Sequence, residues 1–63
     1  MRDPKRIPRL LGIIRSLWEA YPDLRLGQLL DNARVMSGSH GDIFYIEDSD
    51  LEIGLRELAK KAK

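Results

Sequence analysis

Sixty-three residues, 43% hydrophobic and 33% charged, fit one small globular domain and exclude collagenous, low-complexity and charge-swollen disordered chains. A chain this short buries only about 60% of the surface that its unfolded form exposes, so its core is expected to be thin. No cysteine and one histidine rule out disulfide frameworks, thiol nucleophiles and thiolate metal sites, and leave little scope for imidazole catalysis.

The formal net charge of +1 hides an asymmetry: residues 1–34 carry seven basic and four acidic side chains, and residues 35–63 carry four basic and six acidic ones. The simplest expectation is that the basic and acidic segments meet in the fold or are solvated faces. The sharper one is a polarised surface that steers a charged partner.

The first periodic segment carries Ile7, Leu10, Leu11, Ile14, Leu17, Trp18 and Tyr21, one stripe of a 3.6-residue helix. Asp3 before Pro4 is a candidate N-cap. Pro8, one turn later, suggests that regular helix begins only near it. Pro22 supplies the stop, because it biases Tyr21 away from helix. The longest apolar run, Leu10–Ile14, falls far short of the roughly 20 residues that a membrane span needs. The basic, proline-bearing N-terminus lacks a small-residue cleavage site and does not read as a secretory signal, so a cytoplasmic location is expected.

Leu26, Leu29, Leu30 and Ala33 predict a short second helix from about Leu26 to Arg34. Asp23 is its expected side-chain cap, with Leu24 on Leu29 around an entry at Arg25 as a possible hydrophobic staple. Ser37 to Gly41 is a cluster of turn formers and ends the helix. Asp42 to Asp48 is aromatic and β-branched and suits an extended connector, but it has no second strand to pair with. Two of Ile43, Phe44, Tyr45 and Ile46 are expected to plug the gap between helices and two to line its rim. Ser49 to Glu52 reads as a capping box that starts a third helix. Its apolar stripe is Leu51, Leu55, Leu58, Ala59 and Ala62, supported by Glu52–Arg56 and Glu57–Lys61 pairs. The expected fold class is therefore all-α: a small three-helix domain with an extended aromatic connector between helices 2 and 3, occupying residues 1–63 as a single domain. The predicted core is Leu10, Leu11, Ile14, Leu17, Trp18, Leu26, Leu29, Leu30, Phe44, Ile46, Leu51, Leu55 and Leu58, with all three helices on Trp18.

Chemistry-bearing patterns are few. Glu47, Asp48, Asp50 and Glu52 cluster, but neither Asp42 nor Asp48 starts an EF-hand spacing, and acids at a helix start are explained by its dipole. A paired-carboxylate enzyme would need a cleft with one raised pKa, for which a single small core leaves little room. His40, in the loop, lacks an obvious orienting partner or nucleophile. No phosphate-cradling loop, dinucleotide fingerprint or nucleophile elbow occurs. No enzyme activity, cofactor or metal is expected.

Two binding readings remain. Ile13, Val35, Met36 and Ile53 lie beside the stripes and form a candidate protein-binding patch, for an unidentified protein or for a second copy in a homodimer; the alternative is that they wrap the edge of a wide core. Arg2, Lys5, Arg6, Arg9 and Arg15 form a candidate nucleic-acid-binding face. Against it, the third helix is acidic at the end that would meet base edges, and the pI of about 8.1 is low for such a protein. A membrane-surface role for the Trp18 helix is less economical than a bundle core.

At WEAYPDLRLGQLLDNA the chain resembles the YihD-like family of small uncharacterised bacterial proteins, whose members pair a tryptophan with a P-D-L turn and a leucine-rich short helix. DIFYIEDSDLEIGL is similar to their aspartate-started third helix. The resemblance spans roughly Ile7 to Leu55, rests on apolar spacing with Trp18, Pro22, Asp23 and Leu24, and implies a small helical fold without any transferable catalytic residue.

Overall fold

A computed structural model describes residues 2–61. It contains three helices, α1 (Arg6–Ala20), α2 (Leu26–Met36) and α3 (Asp48–Lys61), with a 3-10 turn at Ile43–Tyr45 and no strand among the described residues. The all-α, three-helix architecture follows the apolar periodicity; several of its junctions differ from expectation for identifiable reasons.

Asp3 organises the turn ahead of α1: its carboxylate accepts the Lys5 N–H at 2.9 Å and its carbonyl accepts the Arg6 N–H at 3.2 Å. Regular helix therefore starts at Arg6, before Pro8. Pro8 becomes the third helical residue, where the missing N–H has no intrahelical acceptor to lose. At the other end the Tyr21 N–H closes onto the carbonyls of Leu17 and Trp18, both at 3.1 Å, just before Pro22.

Asp23 does not cap α2. The entry residue is Arg25, in extended conformation, and its N–H donates to Gln28 Oε1 at 2.9 Å, the glutamine half of a capping box. Leu24 and Leu29 belong to the same apolar cluster, as the staple requires. The helix runs past Arg34 to Met36, where Ser37 Oγ donates to the Arg34 carbonyl at 2.7 Å and Gly38 takes a φ of 81°, a region in which a side chain would be strained.

The aromatic connector is not extended throughout. An unpaired extended segment would leave its backbone donors unsatisfied, whereas a turn satisfies them locally. Asp42 Oδ1 accepts the Phe44 N–H at 3.0 Å and caps the 3-10 turn. Ile43 and Ile46 point inward and are half-buried, while Phe44 and Tyr45 are 81% and 79% exposed, so Phe44 is not a core residue.

Helix α3 begins one residue before Ser49, with the Glu47 carbonyl accepting the Leu51 N–H at 3.0 Å. The Ser49–Glu52 capping box does not form, because the Glu52 carboxylate is held by Arg56 and Arg9. Glu52–Arg56 pairs as expected at 2.8 Å, but Glu57 takes Lys60 rather than Lys61. Ala62, assigned to the stripe of this helix, lies outside the described residues.

The core is thin. Leu17, Leu29, Ala33 and Leu55 are buried, and Leu10, Ile13, Ile14, Tyr21, Leu24, Leu51 and Leu58 pack partly buried around them. Leu30 and Ile46 are half-buried. Of the remaining expected core residues, Leu11 is 59% exposed, Leu26 41% and Trp18 37%. Leu26 is the first residue of α2. The centre of the molecule is the contact of α2 with α3: a Cβ built at buried Gly54 would fall 2.6 Å from the carbonyl carbon of Ala33, so the two backbones touch where neither helix has a bulky side chain. Helix α1 docks chiefly on α3.

Candidate interaction surface

The apolar residues of α1, from Ile13 round to Leu11, cover about 160° of its circumference at about 100° per residue. A neighbour on one side covers only part of so wide an arc. Leu10, Ile13, Ile14, Leu17 and Tyr21 turn to the core, and Ile7, Leu11 and Trp18 are left outside. Trp18 is consequently not the hub of three helices. It lies at the rim, with its indole N–H donating to the Leu24 carbonyl at 2.8 Å, which holds the ring over the turn between α1 and α2 with its polar atom satisfied. Leu11, Ile14, Arg15, Trp18, Glu19 and Pro22 line a shallow, open and mostly apolar groove along this face.

A charged seam fastens the basic start of α1 to the acidic start of α3. Arg2 reaches Glu47 at 3.4 Å, Arg6 Nε meets Asp48 at 2.6 Å, and Arg9 meets Glu52 at 3.2 Å. The hydrogen bond from Arg6 is the main cause holding the Asp48 carboxyl below its ordinary range, with the charges of Arg6 and Arg2 adding to it. Glu52 is lowered likewise, first by its hydrogen bond from Arg56 and then by that from Arg9. The basic and acidic halves of the sequence thus meet in the fold.

Of the basic set, Arg2, Arg6 and Arg9 lie in the seam, Arg15 pairs with Glu19 on its own helix at 3.3 Å, and Lys5 is exposed without an ion pair among the described residues. These side chains do not form an open basic face. Of the apolar set, Ile13 packs on the core cluster and edges a second groove, between α1 and α3, with Ser16, Arg56 and Ala59. Met36 is half-buried, with the Lys61 ammonium 3.9 Å from its sulfur. Val35 and Ile53 are 60% and 53% exposed. None of the four lines the groove that contains Leu11 and Trp18. The exposed face of α1 was hidden in the sequence by the strength of its own stripe; the only signal was a stripe wider than one contact can cover.

His40 is exposed on the loop after α2. Among the described residues no three His, Asp or Glu side chains converge to hold a metal, and no helix is long and apolar enough to cross a membrane. Comparison with known proteins gives no match: no family model fits the chain, and no curated protein or solved structure is significantly similar to it.

Proposed function

We propose that this chain is a small, non-enzymatic, cytoplasmic protein-interaction module whose working surface is the outer face of α1. Kinship with the YihD-like family is part of the same proposal and adds no catalytic residue to it. The observation that carries the reading is Leu11, 59% exposed at the middle of a helix whose other side is core, with Ile7 50% and Trp18 37% exposed on the same face. Fully burying one such side chain is worth about 1.5–3 kcal/mol, and a partner that covers this face gains several at once. The acids at the start of α3 are engaged by arginines, which favours a structural role for them over a catalytic one.

The test is retention of partners from a lysate of the cell of origin, with and without nuclease, by the wild-type chain, Leu11→Asp and Ile53→Asp. The expected result is a nuclease-resistant protein, this chain itself or another, that Leu11→Asp loses and Ile53→Asp keeps. Loss on Ile53→Asp alone would move the surface to α3. Recovery that disappears with nuclease and with alanine at Arg6 and Arg9 would replace the reading with nucleic-acid binding.

A further inference from the structure

We propose that the trough between α1 and α3 receives an acidic amphipathic helix of a partner protein. This site is separate from the outer face of α1: none of the residues that line the groove of Leu11 and Trp18 lines the trough, and none of α2 does. Helices α1 and α3 run in the same direction, because the pairs Arg2–Glu47, Arg6–Asp48 and Arg9–Glu52 advance together along both. Ile13 and Leu17 contribute apolar surface to the trough, which follows α1 from Pro8 to Ala20, about 18 Å at the helical rise. Gly12, Ser16 and Ala20 stand four residues apart on its α1 wall, and Ala59 is on its α3 wall. A Cβ added at Gly12 would meet nothing within 4 Å. Walls this low let a helix lay its apolar face into the trough. A small amphiphile needs most of its surface enclosed, whereas this trough is open to solvent along its length.

Charge identifies the occupant. The charged side chains that line the trough are Arg9, Arg56 and Lys60, and no carboxylate lines it. Glu52 serves two of these cations at once, accepting from Arg9 Nη2 at 3.2 Å and from Arg56 Nη2 at 2.8 Å. It is 18% exposed, against 52% and 56% for the two arginine side chains, so the cations and not the acid face solvent. Lys60 pairs with Glu57 at 3.2 Å. Three cations against two carboxylates leave one positive charge on the trough. Nη1 of Arg9 and Nη1 of Arg56 donate to nothing among the described residues, and the shared Glu52 holds both guanidiniums together. An incoming carboxylate therefore meets donors already gathered. Arg56 and Lys60 are one turn apart on α3, the spacing at which acids repeat along one face of a helix. A basic helix would instead meet like charge along the rim.

The probe is a synthetic helical peptide of about 18 residues, with leucine and alanine on one face and glutamates one turn apart beside it; in the control peptide lysine replaces every glutamate. Binding is followed by anisotropy of the labelled peptide and by amide NMR of the full chain. The expected result is saturable binding of the acidic peptide, about tenfold or more tighter than the basic one. Shifts should centre on Gly12, Ile13, Ser16 and Ala59, with Leu11 and the Trp18 indole unmoved. Arg56→Glu/Lys60→Glu should reverse the preference between the peptides. Ser16→Leu, at an exposed position, fills the trough without changing charge and should reject both. Leu11→Asp should bind the acidic peptide as the wild type does, and circular dichroism checks that each variant keeps its helices. Absence of saturable binding up to millimolar peptide overturns the proposal, as does equal affinity for the two peptides or a set of shifts centred on Leu11 and Trp18. Saturable binding of decanoate at Gly12 and Ser16 by a chain that ignores the acidic peptide would overturn it in favour of a small anionic amphiphile.

Discussion

Gly54 of α3 and Ala33 of α2 are packed backbone to backbone, and the space a Cβ would need at Gly54 is already filled by the Ala33 carbonyl group. That carbonyl also accepts the Ser37 N–H at 3.0 Å, so it cannot turn aside without opening the end of α2. Gly54→Ala should therefore destabilise the fold by about 1–3 kcal/mol or more through overpacking, although alanine is the better helix former by about 1 kcal/mol. Gly12→Ala, with nothing within 4 Å of its added methyl, should instead raise stability by about 0.5–1 kcal/mol. Urea unfolding midpoints of the two variants should move in opposite directions.

Leu29 and Leu55 are fully buried in a core with only four buried hydrophobic side chains among the described residues. Truncating either to alanine is expected to remove about 2–5 kcal/mol. A chain of this length has about 3–9 kcal/mol in all at the usual stability per residue. Leu29→Ala and Leu55→Ala should thus lose a third or more of the stability and unfold at much lower urea, whereas Leu11→Ala should unfold at close to the wild-type denaturant midpoint. Wild-type midpoints for both core variants would mean that the core lies elsewhere.

The seam between α1 and α3 makes stability depend on acid. Asp48 and Glu52 both have lowered pKa values in the folded chain, from ordinary values of 3.8 and 4.5. In the unfolded chain these carboxyls take up protons first as the pH falls. Their contribution is complete above the ordinary values and is lost as the pH falls through the lowered folded ones. Thermal melts should show a stability plateau near neutrality and a decline on acidification below about pH 4.5. Asn at position 48 together with Gln at position 52 should flatten that decline.

The Trp18 indole N–H donates to the Leu24 carbonyl at 2.8 Å across the turn that joins α1 to α2. Trp18→Phe keeps a ring but removes the donor. The expected loss is about 0.5–1.5 kcal/mol, measured by urea unfolding followed by circular dichroism. Pro22→Ala offers a contrast, since it frees Tyr21 from the restriction imposed by proline without touching that hydrogen bond.

Helix number, helix order and much of the core were legible because they rest on local periodicity and on breakers such as Pro22 and Gly38. What escaped was decided across the chain. The Ser49–Glu52 spacing is a sound local capping signal, but Arg9 arrives from α1 to claim Glu52, and sequence distance hides that competitor. The wide stripe of α1 does not announce which half of it faces α3, so Leu11 and Trp18 were expected inside and lie at the surface. Ala33, by contrast, is buried because it opposes Gly54, a pairing of small residues that neither helix reveals alone. Val35 and Ile53, beside the stripes, are exposed, and so are Ile7, Leu11 and Trp18 within the stripe of α1.

The most direct test of the central claim, that the outer face of α1 is the working surface, is capture from a nuclease-treated lysate of the cell of origin by the wild-type chain, Leu11→Asp and Ile53→Asp. The account predicts a retained protein that Leu11→Asp loses and Ile53→Asp keeps. Retention indifferent to Leu11→Asp, or lost only on Ile53→Asp, would contradict it.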